Sequence, residues 1–275
     1  MPPAPDPRHN NRTGANGGTD MTKQLAGKIA WVTGAGTGIG EAAAIALAKE
    51  GAIAILTGRR AANLENTAAQ IRAAGGEAHV QPADLMKAAE VQKVGAFIAE
   101  KFGRLDILVN NAGINITDRH WNKLTPEGID TLVDGNLKSA LYCITVALPF
   151  MRAQKDGLLI HTASMAGRFI GGLSGPIYTA AKHGVVAMSH TINMEECING
   201  IRSSVMLPGE VATPILDKRP IPVTPEERAR LVQSEDCGDL IRYIACLPPH
   251  LCIPEVMITP AWNRTYVANL QRNQR

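Results

Sequence analysis

"KIAWVTGAGTGIGEAAAIALAKEG", residues 28–51, carries three local signals in a row. Lys28–Thr33 is short, apolar and partly β-branched, as in a strand buried on both faces. Thr33–Gly40 places four glycines within eight residues. Residues 38–51 are alanine-rich and close on Gly51, which reads as a helix with a glycine stop. A second apolar run, "AIAILT" (52–57), follows at once, so the segment opens a strand–helix–strand unit.

Outward from that unit the alternation continues. Helix 61–76 ends at paired glycines, "EAHVQ" (77–81) is a weak strand, and 87–103 is an amphipathic helix. "LDILVN" (105–110) is a strong strand, followed by a long helical region from about Pro126 to Met151. Strand 157–163, helix 178–200 and strand 201–207 come next. A short helical pair near 224–234 and 236–246 precedes a last strand, 254–259. This order predicts an α/β fold: one doubly wound parallel sheet of about seven strands, Rossmann-type, with helices on both faces. No internal repeat or linker interrupts it, so residues 21–275 are expected to form a single catalytic domain.

Hydrophobic residues make up 45% of the 275-residue chain and charged residues 19%, which fits a globular protein with a large core. The net charge of +3 is spread along the chain, so nucleic acid is not an expected partner. No apolar run reaches the length of a membrane span, and no membrane association is expected. Residues 1–20 are rich in Pro, Asn and Gly and lack the apolar core of a secretory signal. They are expected to be a flexible tail. The five cysteines are scattered with no CxxC spacing, which points to free thiols in a reducing, cytoplasmic compartment and to no metal site.

The glycine turn holds the first chemical signal. After a strand and before a helix, bare backbone lets the helix's free N–H groups face a phosphate, aided by the helix dipole. Gly34, Gly36, Thr37, Gly38, Ile39 and Gly40 are therefore candidate dinucleotide-binding residues. Ligands of such folds bind beyond the carboxyl ends of the strands. That rim collects Arg59, Asp84 with Leu85, and Asn111, Ala112 and Gly113. Asp84 suits the adenine amino group, or alternatively caps the helix from Lys87.

Thr-Gly-x-x-x-Gly-Ile-Gly at 33–40, "NNAG" at 110–113 and "YTAAK" at 178–182 occur in that order. In this combination the chain, from about residue 25 to about 260, resembles the short-chain dehydrogenase/reductase family in its branch of about 250 residues. Alone, a tyrosine and a lysine at the spacing of the third motif are usually a surface pair; the needs of carbonyl reduction give them a common purpose. Tyr178 and Lys182 lie four apart and share a helix face. Reducing a carbonyl requires a proton on oxygen, and a phenol with an ordinary pKa of about 10 gives it up more readily beside an ammonium group. Tyr178 reads as general acid in reduction and general base in oxidation, with Lys182 lowering its pKa and binding the nicotinamide ribose. Ser164, just past a strand, would polarise the substrate oxygen.

The resemblance implies more. Asn136, in "DGNLKSALY", holds a water of the proton-relay path in relatives; its plain reading is a solvent-facing helix residue. Pro208, Gly209, Val211 and Thr213, in "PGEVATP", match the segment that holds the nicotinamide carboxamide. Residues 214–234, with Pro220 and Pro222, are expected to form a mobile lid. The usual glycine-rich ending is replaced by "CIPEVMITPAWNR", which resembles a subgroup related to NADP-dependent serine and 3-hydroxy acid dehydrogenases. Relatives also imply a homo-oligomer, a tetramer or dimer.

For the substrate, Met165, Arg168, Phe169, Glu210, Ile215 and Leu216 are expected around the pocket, with "NITDRHW" (115–121) on the opposite rim. Arg168 is a candidate partner for a substrate carboxylate, although an arginine in such a loop is more often simply exposed or salt-bridged. A nicotinamide-sensing regulatory protein is the alternative function, disfavoured because Tyr178 and Lys182 are both present. The second strand ends in "TGRR" (57–60). NAD enzymes usually place an acidic residue there for the ribose 2′-hydroxyl, and Gly58 occupies that position here. Arg59 suits a 2′-phosphate, with Arg60 a second candidate or a residue stacking on adenine, which selects NADP(H) as the expected cofactor. The expected substrate is a small carbonyl compound or secondary alcohol.

Overall fold

The computed structural model describes residues 23–218, 223–264, 266, 267 and 270. The N-terminal tail, Pro220 and Pro222 lie outside the described residues. Seven strands form one parallel sheet in the order β3-β2-β1-β4-β5-β6-β7. They are β1 Ile29–Thr33, β2 Ile53–Gly58, β3 Glu77–Pro82, β4 Ile107–Asn110, β5 Gly157–Thr162, β6 Ile201–Pro208 and β7 Glu255–Ile258. The expected doubly wound α/β fold is the observed one.

Each central strand is apolar throughout because helices cover both of its faces. Every residue of β1, β4 and β5 is buried. On one face pack α1 (Gly38–Lys49), α2 (Ala61–Ala73) and α8 (Ser234–Ala245), which contribute Leu47, Leu64, Ile71 and Ile241 to the core. On the other lie α3 (Ala88–Phe102) and α5 (Ser139–Gln154), with Val91, Ile98, Cys143 and Met151. Helix α6 (Pro176–Glu196) completes that face through Val185 and Val186. Trp31 in β1 has no exposed surface, and its indole N–H donates to Thr57 Oγ1 at 2.9 Å. Truncating so large a buried ring costs about 3–5 kcal/mol in typical cores.

Chain order reverses at β1, which pairs with β2 on one side and β4 on the other. The crevice at their carboxyl ends is the expected ligand site of such a sheet. At the amino ends a charge cluster closes the molecule. Asp106, 3% exposed, accepts from Ile29 N at 2.9 Å, Lys28 Nζ at 3.1 Å and Arg104 Nη2 at 2.6 Å. Burial opposes its charge, but these donors hold the carboxyl below its ordinary pKa.

The long helical region from Pro126 is not one helix. It runs as α4 (Pro126–Val133), a π-turn over Asp134–Lys138, and then α5. Thr125 caps its start by accepting from Gly128 N at 3.2 Å. The helix expected at 178–200 begins earlier, at Pro176, because proline fits the first turn of a helix. Of the helix expected at 224–234, only α7 (Pro225–Arg228) is helical.

Candidate active site

At the carboxyl ends of the strands lies a cleft of about 810 Å³. The glycine turn forms its floor. Thr37 stands at the N-cap of α1 with no side-chain hydrogen bond, so the first N–H groups of the helix are left for another acceptor. Gly38 has φ +61, and a Cβ there would stand 3.0 Å from Thr213 Cγ2. Gly40 does not line the cleft. It packs beneath the turn, where a Cβ would stand 2.3 Å from the Gly34 carbonyl oxygen.

Thr33 joins this turn to the loop after β4. Its hydroxyl accepts from Asn111 N at 2.9 Å and Ala112 N at 3.0 Å and donates to Val109 O at 3.2 Å. Asn111 Nδ2 returns a bond to Thr33 O at 3.2 Å. This junction escaped the sequence reading; a threonine ending an apolar strand was its only mark.

One end of the cleft is lined by Gly58, Arg59 and Arg60, with Asp84 and Leu85 nearby. Both arginines are exposed, and neither guanidinium has a partner among the described residues. Asp84 is not the helix cap: Lys87 holds that position, and Asp84 Oδ1 accepts from Met86 N at 3.2 Å.

The other end brings together Ser164, Tyr178 and Lys182. Tyr178 lies in the first turn of α6, and Lys182 follows one turn later. Lys182 is 3% exposed, and its Nζ donates to Thr162 O at 2.9 Å and lies 5.5 Å from the Tyr178 ring centroid. Burial lowers its pKa to about 8. Ser164 Oγ accepts from Ala166 N at 3.1 Å, which leaves the hydroxyl proton available to a ligand.

Asn136 is 1% exposed and does not face solvent. It does not line the cleft either; Gly135 and Ser139, its neighbours in the π-turn region, do. Asn136 Oδ1 accepts from Ile114 N at 3.1 Å, and Nδ2 donates to Ile114 O and Leu132 O, both at 2.9 Å. It splints the 112–115 loop against the helix. Behind Lys182, on β5, lies His161, fully buried, with neither ring nitrogen hydrogen-bonded among the described residues. Burial first, and the Lys182 charge second, lower its pKa to about 3. Nothing in the sequence singled it out.

The remaining cofactor candidates, Gly34, Gly36, Ile39, Asn111, Ala112, Gly113, Pro208, Gly209, Val211 and Thr213, all line the same cleft. The substrate-end candidates divide. Ile215, Leu216, Asn115 and Arg119 line it, whereas Met165, Phe169 and Glu210 do not. Arg168 takes the salt-bridged alternative rather than facing a substrate: it forms an ion pair with Glu255 of β7, outside the cleft. Among the described residues no group of three or more His, Cys, Asp or Glu could hold a metal, and no helix is long and apolar enough to cross a membrane.

The family profile described as short chain dehydrogenase matches residues 28–221. The chain belongs to this family. An uncharacterized oxidoreductase of Staphylococcus aureus (strain MRSA252) is 35% identical over 236 residues, covering 86% of this chain and 98% of the relative. Among solved structures, a metagenomic short-chain oxidoreductase in complex with NADP is 29% identical, with a TM-score of 0.76 and coverage of 87% of this chain and all of that one. A 3-ketoacyl-(acyl-carrier-protein) reductase from Brucella melitensis, complexed with NADH, is 27% identical, with a TM-score of 0.77 and coverage of 86% and 98%. Family membership makes the chain a short-chain oxidoreductase.

Proposed function

We propose that this short-chain dehydrogenase is an NADP(H)-dependent oxidoreductase that interconverts a small carbonyl compound and a secondary alcohol. The observation that carries the reading is the meeting of Ser164, Tyr178 and buried Lys182 in the same cleft as the glycine turn. The cleft fits a dinucleotide: an uncapped helix N-terminus sits over bare glycines, with two unengaged guanidiniums at one end. When bound, the nicotinamide supplies the hydride.

The protein supplies the rest. Ser164 donates a hydrogen bond to the substrate oxygen. Tyr178 delivers its proton to that oxygen in reduction and takes it back in oxidation. Lys182, still largely protonated below about pH 8, favours the phenolate of Tyr178. Asn136 supports the chemistry through the backbone of Ile114. Lys182 and the 208–213 segment hold the nicotinamide end, and Asp84 and Leu85 the adenine. Arg59 and Arg60 grip the 2′-phosphate. NADP and NADH each occur among similar structures, so the preference rests on "GRR" at 58–60.

The relatives lend no support to a nicotinamide-sensing regulatory role. We further propose a single catalytic domain over 21–275, a homo-oligomer and a cytoplasmic location. A screen of ketones, alcohols and hydroxy acids following NADPH absorbance tests the activity. On any active substrate, Tyr178→Phe should lower kcat at least about 100-fold, the usual worth of a positioned acid. Turnover retained within tenfold removes Tyr178 from its role.

A further inference from the structure

The stretch "TPAWNR" (259–264) follows β7, and its place in the fold is specific. Gly209, just after β6, donates its N–H to Ile258 O at 2.8 Å. A Cβ on Gly209 would stand 3.3 Å from Thr259 Cγ2 and 3.5 Å from Pro260 Cδ. Arg264 donates through Nε to Glu210 Oε2 at 3.0 Å and through Nη2 to Glu210 Oε1 at 2.7 Å, a bidentate fork. Its Nη1 donates to Glu227 Oε2 at 3.4 Å. Arg230 lies 5.2 Å above the Trp262 ring.

These contacts hold Gly209 and Glu210 on the one side, and Glu227 and Arg230 on the other, against the segment after β7. Between them in the chain run Val211 and Thr213, which line the cleft. They are strung against Val232, with Ala212 N donating to Val232 O at 2.8 Å and Arg228 Nη2 donating to Thr213 O at 3.0 Å. Arg264 and Glu210 are 22% and 17% exposed, so the pair is only partly screened by water.

We propose that Arg264 is a positioning residue for the cofactor: through Glu210 and Glu227 it fixes the loop that presents Val211 and Thr213, and so sets the affinity of the cleft for the dinucleotide without touching it. The inference rests on the reading of that loop as cofactor-binding. One guanidinium serves two carboxylates, so its loss leaves Glu210 and Glu227 without this shared cation. A lysine keeps the charge but cannot form the fork.

The test compares wild type, Arg264→Lys, Arg264→Leu and the double variant Glu210→Gln/Arg264→Leu. NADPH and NADH binding is measured by fluorescence titration, trypsin cleavage at Arg228 or Arg230 by rate, and stability by the thermal midpoint. Arg264→Leu should weaken NADPH binding about tenfold, the scale of a lost charge-assisted hydrogen bond, and speed cleavage by a similar factor. Arg264→Lys should fall between it and wild type. The double variant should bind no more weakly than Arg264→Leu, because the fork between Glu210 and Arg264 is already lost. A lowered midpoint with binding and cleavage within twofold of wild type would overturn the proposal and leave Arg264 a structural residue. Wild type that binds neither dinucleotide would overturn the reading of the loop itself. Wild-type binding that Arg264→Leu leaves intact would overturn only the role of Arg264.

Discussion

His161 shows how far a residue's meaning depends on its surroundings. In "GLLIHTA" it is one of two polar letters in an apolar strand, whereas in the fold both its nitrogens are buried. An unfolded histidine titrates near 6.5, and here burial holds the value to about 3. Between those values the unfolded chain binds a proton that the folded chain refuses. The contribution is therefore complete above about pH 6.5 and is lost as pH falls toward 3, at about 1.4 kcal/mol per pH unit. His161→Phe should remove this component from the fall in urea midpoint between pH 7 and pH 4. Parallel losses in variant and wild type would refute the assignment. Arg59 tests the cofactor instead: Arg59→Asp should lower the NADP/NAD preference in kcat/KM at least about tenfold, since a carboxylate repels the 2′-phosphate. An unchanged ratio would remove Arg59 from that contact. Residues whose type suggests a chemistry, such as Tyr178, Lys182 and Ser164, could be singled out in the sequence, and the fold brings them to one cleft. His161 and Thr33, whose roles depend on neighbours far along the chain, were not. Which carboxylate Arg168 pairs with was beyond the sequence for the same reason: the partner is Glu255, 87 positions away.

At the scale of elements, the glycine turn was readable because a strand, bare backbone and a helix follow one another within 24 residues. What it left open was which glycine faces a ligand and which faces the protein. Gly40 belongs to the second kind. Gly40→Ala would push a methyl into the Gly34 carbonyl and move α1 off the turn. Expected is a loss of about 3 kcal/mol in denaturant unfolding, at the upper end of overpacking costs. An unchanged midpoint would show that the turn yields freely. The π-turn at 134–138 was not readable, because its residues have ordinary helix propensities and the extra residue is imposed by packing. It lies where Asn136 reaches the Ile114 backbone.

For the whole molecule, the parallel, doubly wound sheet followed from alternation, since successive parallel strands need crossovers, whereas the order β3-β2-β1-β4-β5-β6-β7 is seen only in the fold. Helix ends were displaced by a few residues where proline or a turn intervened. The sheet is two-sided along its length as well as across its faces. The cleft occupies the carboxyl ends, and the cluster around Asp106 closes the amino ends together with the turns at Gly75 and Gly103. Both glycines have positive φ with open space beside them. A short Gly-Ser peptide inserted after Gly103 should leave kcat/KM within about twofold, as insertions at exposed turns usually do. A larger loss would mean that the two ends communicate. If they do not, Gly103 is a handle: the protein can be tethered to an electrode or bead through its blunt end, with its mouth held open to the solution.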